Sequence, residues 1–349
     1  MQIKQPLTSF LRSRTFKLLL VSFAILAIFP ILVNDTFFLH VFTLIFVFAI
    51  YASSWNFLAN SGQGSLGHAA FLGIGGFASA LIGGSIANGI TAIMGVARMP
   101  FGAVSIIIQI VVLLIGGLIS AGIGFLIGLA CVRLKAWYLA MVTFGFSVIA
   151  STLSSQFDAF TNGINGFAPT ILVSGGYPFY ILVISFAVIS ILAMYLIMRS
   201  RMGLAFRAIH GNEAEARMIG INTAKYKLIA FVISTFFAGI AGGLYAFFLG
   251  FIQNDIFSPA NSFLPLIMSV IGGLGTIAGP IIGSIFLVSV QQILQLPGIN
   301  DLGSPIAFLI IGIILVVIVI FAPKGLISLF NKVYKYLNTE SKPKGAKTK

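Results

Sequence analysis

The side chains able to do chemistry are sparse, and most of them cluster. The densest group lies at 199–227, where Arg199, Arg201, Arg207, Arg217, Lys225 and Lys227 share a short stretch with Glu213 and Glu215. Its middle reads as a helix: Leu204, Ala208 and Ile209 alternate at helical spacing with Arg207, Glu213 and Arg217, until Gly220 stops it. A short amphipathic helix of this kind can lie along a bilayer surface or dock into a groove of another protein; the plainer reading is a charged loop. Two glycine-rich runs, at 62–76 and 272–283, carry no lysine. Neither therefore forms the lysine-bearing loop that cradles a nucleotide phosphate. No carboxylate pair, Cys/His cluster or Ser-His-Asp set offers catalysis, and His40, His68 and His210 are too scattered to hold a metal. His68 stands out because it opens a helix beside a glycine run, where a hydrogen-bonded helix-end role is the plain alternative. The lone Cys131 permits no internal disulfide and reads as packing.

The elements that must position these residues follow from composition. Apolar residues make up 59% of the 349-residue chain and charged residues 8%, against about 25% charged in an ordinary soluble domain. Runs of roughly 20 apolar residues, the length of a bilayer-crossing helix, recur along it. They are continuous, which excludes a transmembrane barrel. The fold expected is an all-α polytopic transmembrane helical bundle of about ten segments, at 16–33, 37–58, 68–87, 102–132, 137–155, 179–198, 228–250, 263–275, 280–296 and 305–322. The first follows Arg12, Arg14 and Lys17 with no small-residue cleavage site, and reads as a retained helix. The expected division is a single transmembrane domain at 1–331 and a basic tail at 332–349 that touches anionic lipid.

Ten crossings place both termini on one side. All of the 20 Lys and Arg except Arg98 then fall on that side: the N-terminus, the 133–136 turn, the 199–227 insert and the C-terminus. Asp35, Asp158, Asp255 and Asp301 fall on the other. The positive-inside rule makes the first side cytoplasmic, N- and C-termini included, and explains the net charge of +13 without nucleic acid. The uncharged turn at 62–68 is unusual for a cytoplasmic loop and suggests backbone within the membrane, buried in protein. The glycines and Pro280 of 272–280 interrupt two segments too short to span, as in a broken or re-entrant pair. Small-xxx-small pairs (Gly124/Gly128, Gly239/Gly243, Gly279/Gly283) read as close helix packing.

The expected spans hold essentially no Asp, Glu, Lys or Arg, each of which costs about 2.5–3.5 kcal/mol at a helix centre and is kept there for ion or proton coupling. That disfavours a secondary transporter, and the missing nucleotide loop excludes a self-powered pump. What remains is a membrane body whose energy source lies on another polypeptide.

Several stretches resemble the permease subunit of bacterial branched-chain amino acid ATP-binding-cassette importers, of the LivM type. They are SGQGSLGHAAFLGIG (61–75), VRLKAWYLAMVTFGF (132–146), TNGING (161–166), GLAFRAI (203–209), EAEARMIGIN (213–222), YKLIAF (226–231), GGLGTIAGP (272–280) and PKGL (323–326). Order and spacing make the set specific. It departs at Asn162, where the family usually has glycine, and near Ala136 and Trp137, where glycine or an acid is common. The resemblance implies a LivH-like second permease subunit, two cytoplasmic ATPase subunits, and a periplasmic or lipid-anchored substrate-binding protein, in the bacterial cytoplasmic (inner) membrane. It implies no cofactor in this chain, ATP and Mg being held by the partners, and no enzyme activity of its own. It makes 199–227 an ATPase-coupling loop, with Arg207, Glu213, Glu215 and Gly220 as its residues. Gly64, Ser65, His68 and Thr276 are the pathway candidates for a substrate such as leucine, isoleucine or valine. A urea- or amide-type importer, a secondary transporter or channel, and a non-transporting scaffold remain as alternatives.

Overall fold

A computed structural model describes residues 35–94, 102–134, 136–157, 161–170, 173, 176–295, 304–322 and 325–327. The segment expected at 16–33, Arg98, Asp158, Asp301 and the tail at 332–349 lie outside them, as do Pro323 and Lys324 of the PKGL stretch. The described chain is helical, with a single bridge between Phe167 and Ile252. Among the described residues six helices are long and apolar enough to cross a membrane: α1 (Thr36–Ala59), α2 (His68–Met94), α3 (Ala103–Cys131), α4 (Ala136–Gln156), α5 (Tyr177–Arg199) and, after two short ones, α8 (Thr223–Leu249). The short pair are α6 (Arg201–Gly211) and α7 (Glu213–Met218). Then come α9 (Pro259–Gly272), α10 (Ala278–Leu294) and α11 (Ser304–Phe321). At 1.5 Å per residue the 14 residues of α9 reach about 21 Å, short of a bilayer core of about 30 Å.

α1 is the centre. Every residue from Ile45 to Leu58 is buried, as expected of a helix apolar on all sides. It packs on α8, α10, α5 and α9. A second block joins α2, α3 and α8, and here the glycines decide the geometry. A Cβ on Gly75 of α2 would lie 2.2 Å from the Cα of Gly239 in α8, and one on Gly242 would lie 1.8 Å from Leu72 O. The Ser120 hydroxyl of α3 sits between Phe71 O at 3.0 Å and Thr235 O at 2.9 Å, joining all three helices by one group. The pairs at Gly124/Gly128, Gly239/Gly243 and Gly279/Gly283 all lie at such tight contacts, as their spacing predicts. By contrast α4 turns Trp137, Tyr138 and Met141 outward, and α3 does the same with Leu118 and Leu126. Both are exposed apolar faces on helices long enough to cross a membrane.

Past α8 the chain folds back into the bundle. Ile252 bonds Phe167, a 3-10 turn (Asn254–Phe257) follows, and Phe257 O accepts the Ser147 hydroxyl of α4 at 2.9 Å. α9 then starts beside the start of α2, where Ala69 N donates to Ser262 Oγ at 3.3 Å. α9 and α10 are the short, interrupted pair expected at 263–296.

The glycine-rich turns and the charged loop

α1 ends at Ala59, and the chain runs back along it before α2 begins. Trp55 Nε1 donates to Ser65 O at 2.7 Å, and His68 Nε2 lies 3.0 Å from Ser54 Oγ. His68 is therefore level with Ser54, roughly 7 Å deeper in the bundle than the end of α1 at 1.5 Å rise per residue. Ser61, Gln63 and Ser65 are buried, so this uncharged turn is backbone enclosed in protein, as its composition predicts. It lies hard against α4. A Cβ on Gly67 would fall 1.7 Å from Thr143 O, and Leu66 N donates to Thr143 Oγ1 at 3.1 Å.

Of the four pathway candidates, three share this turn. Gly64 is half-buried with nothing within 4 Å of a built Cβ. Ser65 Oγ accepts from Gly67 N at 3.3 Å. His68 is fully buried; besides Ser54 its Nε2 lies 3.4 Å from Ser234 Oγ of α8, and its ring centroid lies 5.5 Å from that of Tyr51. Among the described residues its Nδ1 meets no partner. Thr276 is elsewhere, at the α9–α10 turn, and its hydroxyl is used within that turn. It donates to Gly273 O at 2.8 Å and accepts from Gly279 N at 3.0 Å, capping α10. The residue that fixes this turn is Asn56, which sequence reading misses. Its amide donates to Thr276 O at 2.8 Å and accepts from Gly275 N at 3.1 Å. An Asn inside an apolar run is the signal that points to it. α1 thus holds one glycine-rich turn with Trp55 and Ser54 and the other with Asn56.

The helix expected through 204–217 is two helices. Asn212 breaks it by adopting extended backbone, φ −156°, while its Oδ1 accepts from Ala214 N at 3.0 Å and caps α7. Glu215 returns the favour by accepting from Asn212 Nδ2 at 2.6 Å. Gly220 ends α7 as its position predicts: φ is +86°, Ile221 N donates to Ala216 O and Gly220 N to Arg217 O, the paired bonds of a Schellman stop. Arg207 bends back, donating to Gly203 O at 3.3 Å and to Met198 O in the last turn of α5 at 3.2 Å. The end of the insert belongs to a span, because α8 starts at Thr223.

Glu213 is a clasp. Its carboxylate pairs with Arg217 at 2.5 Å and with Lys227, and it accepts the Thr223 hydroxyl at 3.2 Å. Partial burial pushes its pKa up, but the bonds from Lys227, Arg217 and Thr223 outweigh this and hold it below the usual carboxylate range. Arg207, Glu213 and Glu215 therefore spend much of their bonding capacity building the loop. Beside its exposed charges the loop presents two apolar residues outward, Met218 and Ile219, 79% and 74% exposed. Two apolar residues directly before a helix-stopping glycine, inside a charged segment, are the sequence signal for them. At Asn162 φ is +56°, a left-handed backbone that Asn tolerates better than most residues, and its amide donates to Gly166 O at 2.7 Å. The turn keeps its shape without glycine there.

The described residues thus form the helical bundle of a polytopic membrane protein, with buried, uncharged turns and a built charged loop. The profile described as "Branched-chain amino acid transport system / permease component" matches residues 37–320. The chain belongs to that family. It is 28% identical over 258 residues to the high-affinity branched-chain amino acid transport system permease protein LivM of Salmonella typhimurium, covering 65% of this chain and 59% of that protein. It is 30% identical over 176 residues to a probable LivH permease of Methanocaldococcus jannaschii, 47% of this chain and 53% of that one. An autoinducer 2 import system permease, LsrC of Photorhabdus laumondii, is 32% identical over 143 residues, 38% of this chain and 41% of that one. The match thus spans less than two thirds of the LivM relative's length. No solved structure matches the chain.

Proposed function

We propose that the chain is the membrane-spanning permease subunit of an ATP-binding-cassette importer for leucine, isoleucine and valine in a bacterial cytoplasmic membrane. A LivH-like subunit completes the pathway, two cytoplasmic ATPases drive it, and an external binding protein delivers substrate. The observation that carries this reading is the 199–220 loop, capped, clasped and stopped at every joint, yet presenting Met218 and Ile219 to the outside. A rigid loop with an exposed apolar tip suits a groove on a partner better than a bilayer surface, where its basic residues would line one face. Gly64, Ser65 and His68 form the proposed pathway turn, with Thr276 supporting the second turn. An uncharged path fits an apolar side chain, and the zwitterionic head meets helix ends and backbone groups. The second reading is a urea- or amide-type cargo; the similarity to an autoinducer 2 import permease supports only that related chains serve cargo other than branched-chain amino acids.

The test is uptake of labelled leucine, urea and amides in proteoliposomes holding the chain with its permease and ATPase partners and the binding protein. Leucine uptake should require ATP, and Met218→Glu with Ile219→Glu should abolish capture of the ATPase subunits without affecting membrane insertion. Uptake by the chain alone under an ion gradient would overturn the reading in favour of a secondary transporter or channel.

A further inference from the structure

We propose that Gln63 and Lys227 are positioning residues that tie the charged loop to the glycine-rich turn, so that movement of one moves the other. The role in transport rests on the reading above; the mechanical link does not. Among the described residues Lys227 is the one Lys or Arg that is buried, at 6% exposure. Its ammonium pairs with Glu213, the first residue of α7. Its carbonyl accepts Gln63 Nε2 at 2.9 Å, and the same Nε2 reaches Ser61 Oγ at 2.9 Å. Gln63 is itself 3% exposed, in the middle of the turn that ends at His68. Two side chains therefore span the whole route from α7 to the turn. A buried ammonium resists separation from its carboxylate, because a lone charge is left in a poor solvent for it. If α7 is pushed, the first turns of α8 follow, and they carry the carbonyl on which the turn hangs. The link acts equally in reverse, as any coupling between sites must.

Coupling is an energy, so the test is a double-mutant cycle on the full chain in its complex with partner permease and ATPases. The variants are Gln63→Met, Lys227→Met and both together, with Lys227→Arg to restore the charge and Glu213→Gln to break the pair from the more exposed side should Lys227→Met fold poorly. Amide exchange over 61–69 should quicken in each single variant, and in the double variant no further than in the worse single. Lys227→Arg should restore slow exchange. Substrate moved per ATP hydrolysed should fall by about tenfold, within the range usual for coupled sites, while the ATPases remain bound. Unchanged exchange over 61–69 when the pair is broken, or independent and additive effects of the two substitutions, would overturn the link. Failure of the wild-type complex to use ATP would instead sink the transport reading, with the exchange result still deciding the link.

Discussion

Gly67→Ala should be among the most damaging small changes in the protein, and Gly64→Ala, three residues away, among the mildest. At Gly67 a Cβ would fall 1.7 Å from Thr143 O, whereas at Gly64 it meets nothing within 4 Å. An aliphatic carbon and a carbonyl oxygen rest no closer than about 3.3 Å, so roughly 1.6 Å of movement is required. Both sides of the contact are backbone, so no rotamer change relieves it. Overpacking of this kind costs about 1–3 kcal/mol, and the upper end applies where nothing yields. The displacement also breaks the Leu66 N to Thr143 Oγ1 bond, worth about 1 kcal/mol. The expected loss is about 3–4 kcal/mol. Trp55 reports it directly, since its indole N–H is held by Ser65 O at 2.7 Å. With Trp137 replaced by Phe, Trp55 emission and denaturant unfolding in mixed micelles should both shift for Gly67→Ala and hardly at all for Gly64→Ala. Equal stability of the two variants would refute the packing argument, and with it the close approach of turn and α4.

Asn56→Leu removes both bonds that hold the α9–α10 turn and should cost about 1–3 kcal/mol, seen as faster amide exchange over 273–279; unaltered exchange there would contradict it. Glu213 titrates below its unfolded counterpart, so the stability it contributes is present above the ordinary carboxylate pKa and is lost as pH falls through the lowered folded value. Exchange over 213–227 should therefore rise only below about pH 4, and Glu213→Gln should remove that dependence; a transition near neutral pH would point to another group. Gly220→Val forces a β-branched residue to φ +86° and should destabilise the loop by about 1–2 kcal/mol or more, with weaker ATPase capture, whereas Gly220→Asn keeps most of both.

The long spans are legible in the sequence because length and apolar content alone decide them, and the buried turn at 62–68 is legible because an uncharged loop has no other place to be. The stop at Gly220 is equally local. The break at Asn212 is not, since an amphipathic period runs straight through it and only the competition of the Asn side chain for the α7 amides divides it. The bonds of Thr276 are hidden for a related reason: only the geometry shows its hydroxyl accepting from Gly279 N at the start of α10. Glu213 reads as a surface charge for a partner, because its buried counter-ion, Lys227, sits beyond the apparent end of the loop, in the first turns of a span.

The glycine contacts between α2, α3 and α8 bear on how such a body changes shape. Where main chains touch directly, no cushion of side chains exists to shear, and the three helices behave as one keel. A push delivered at the start of α8 is then expected to carry α2, α3 and α8 together, relative to α4, α5 and the α9–α10 hairpin.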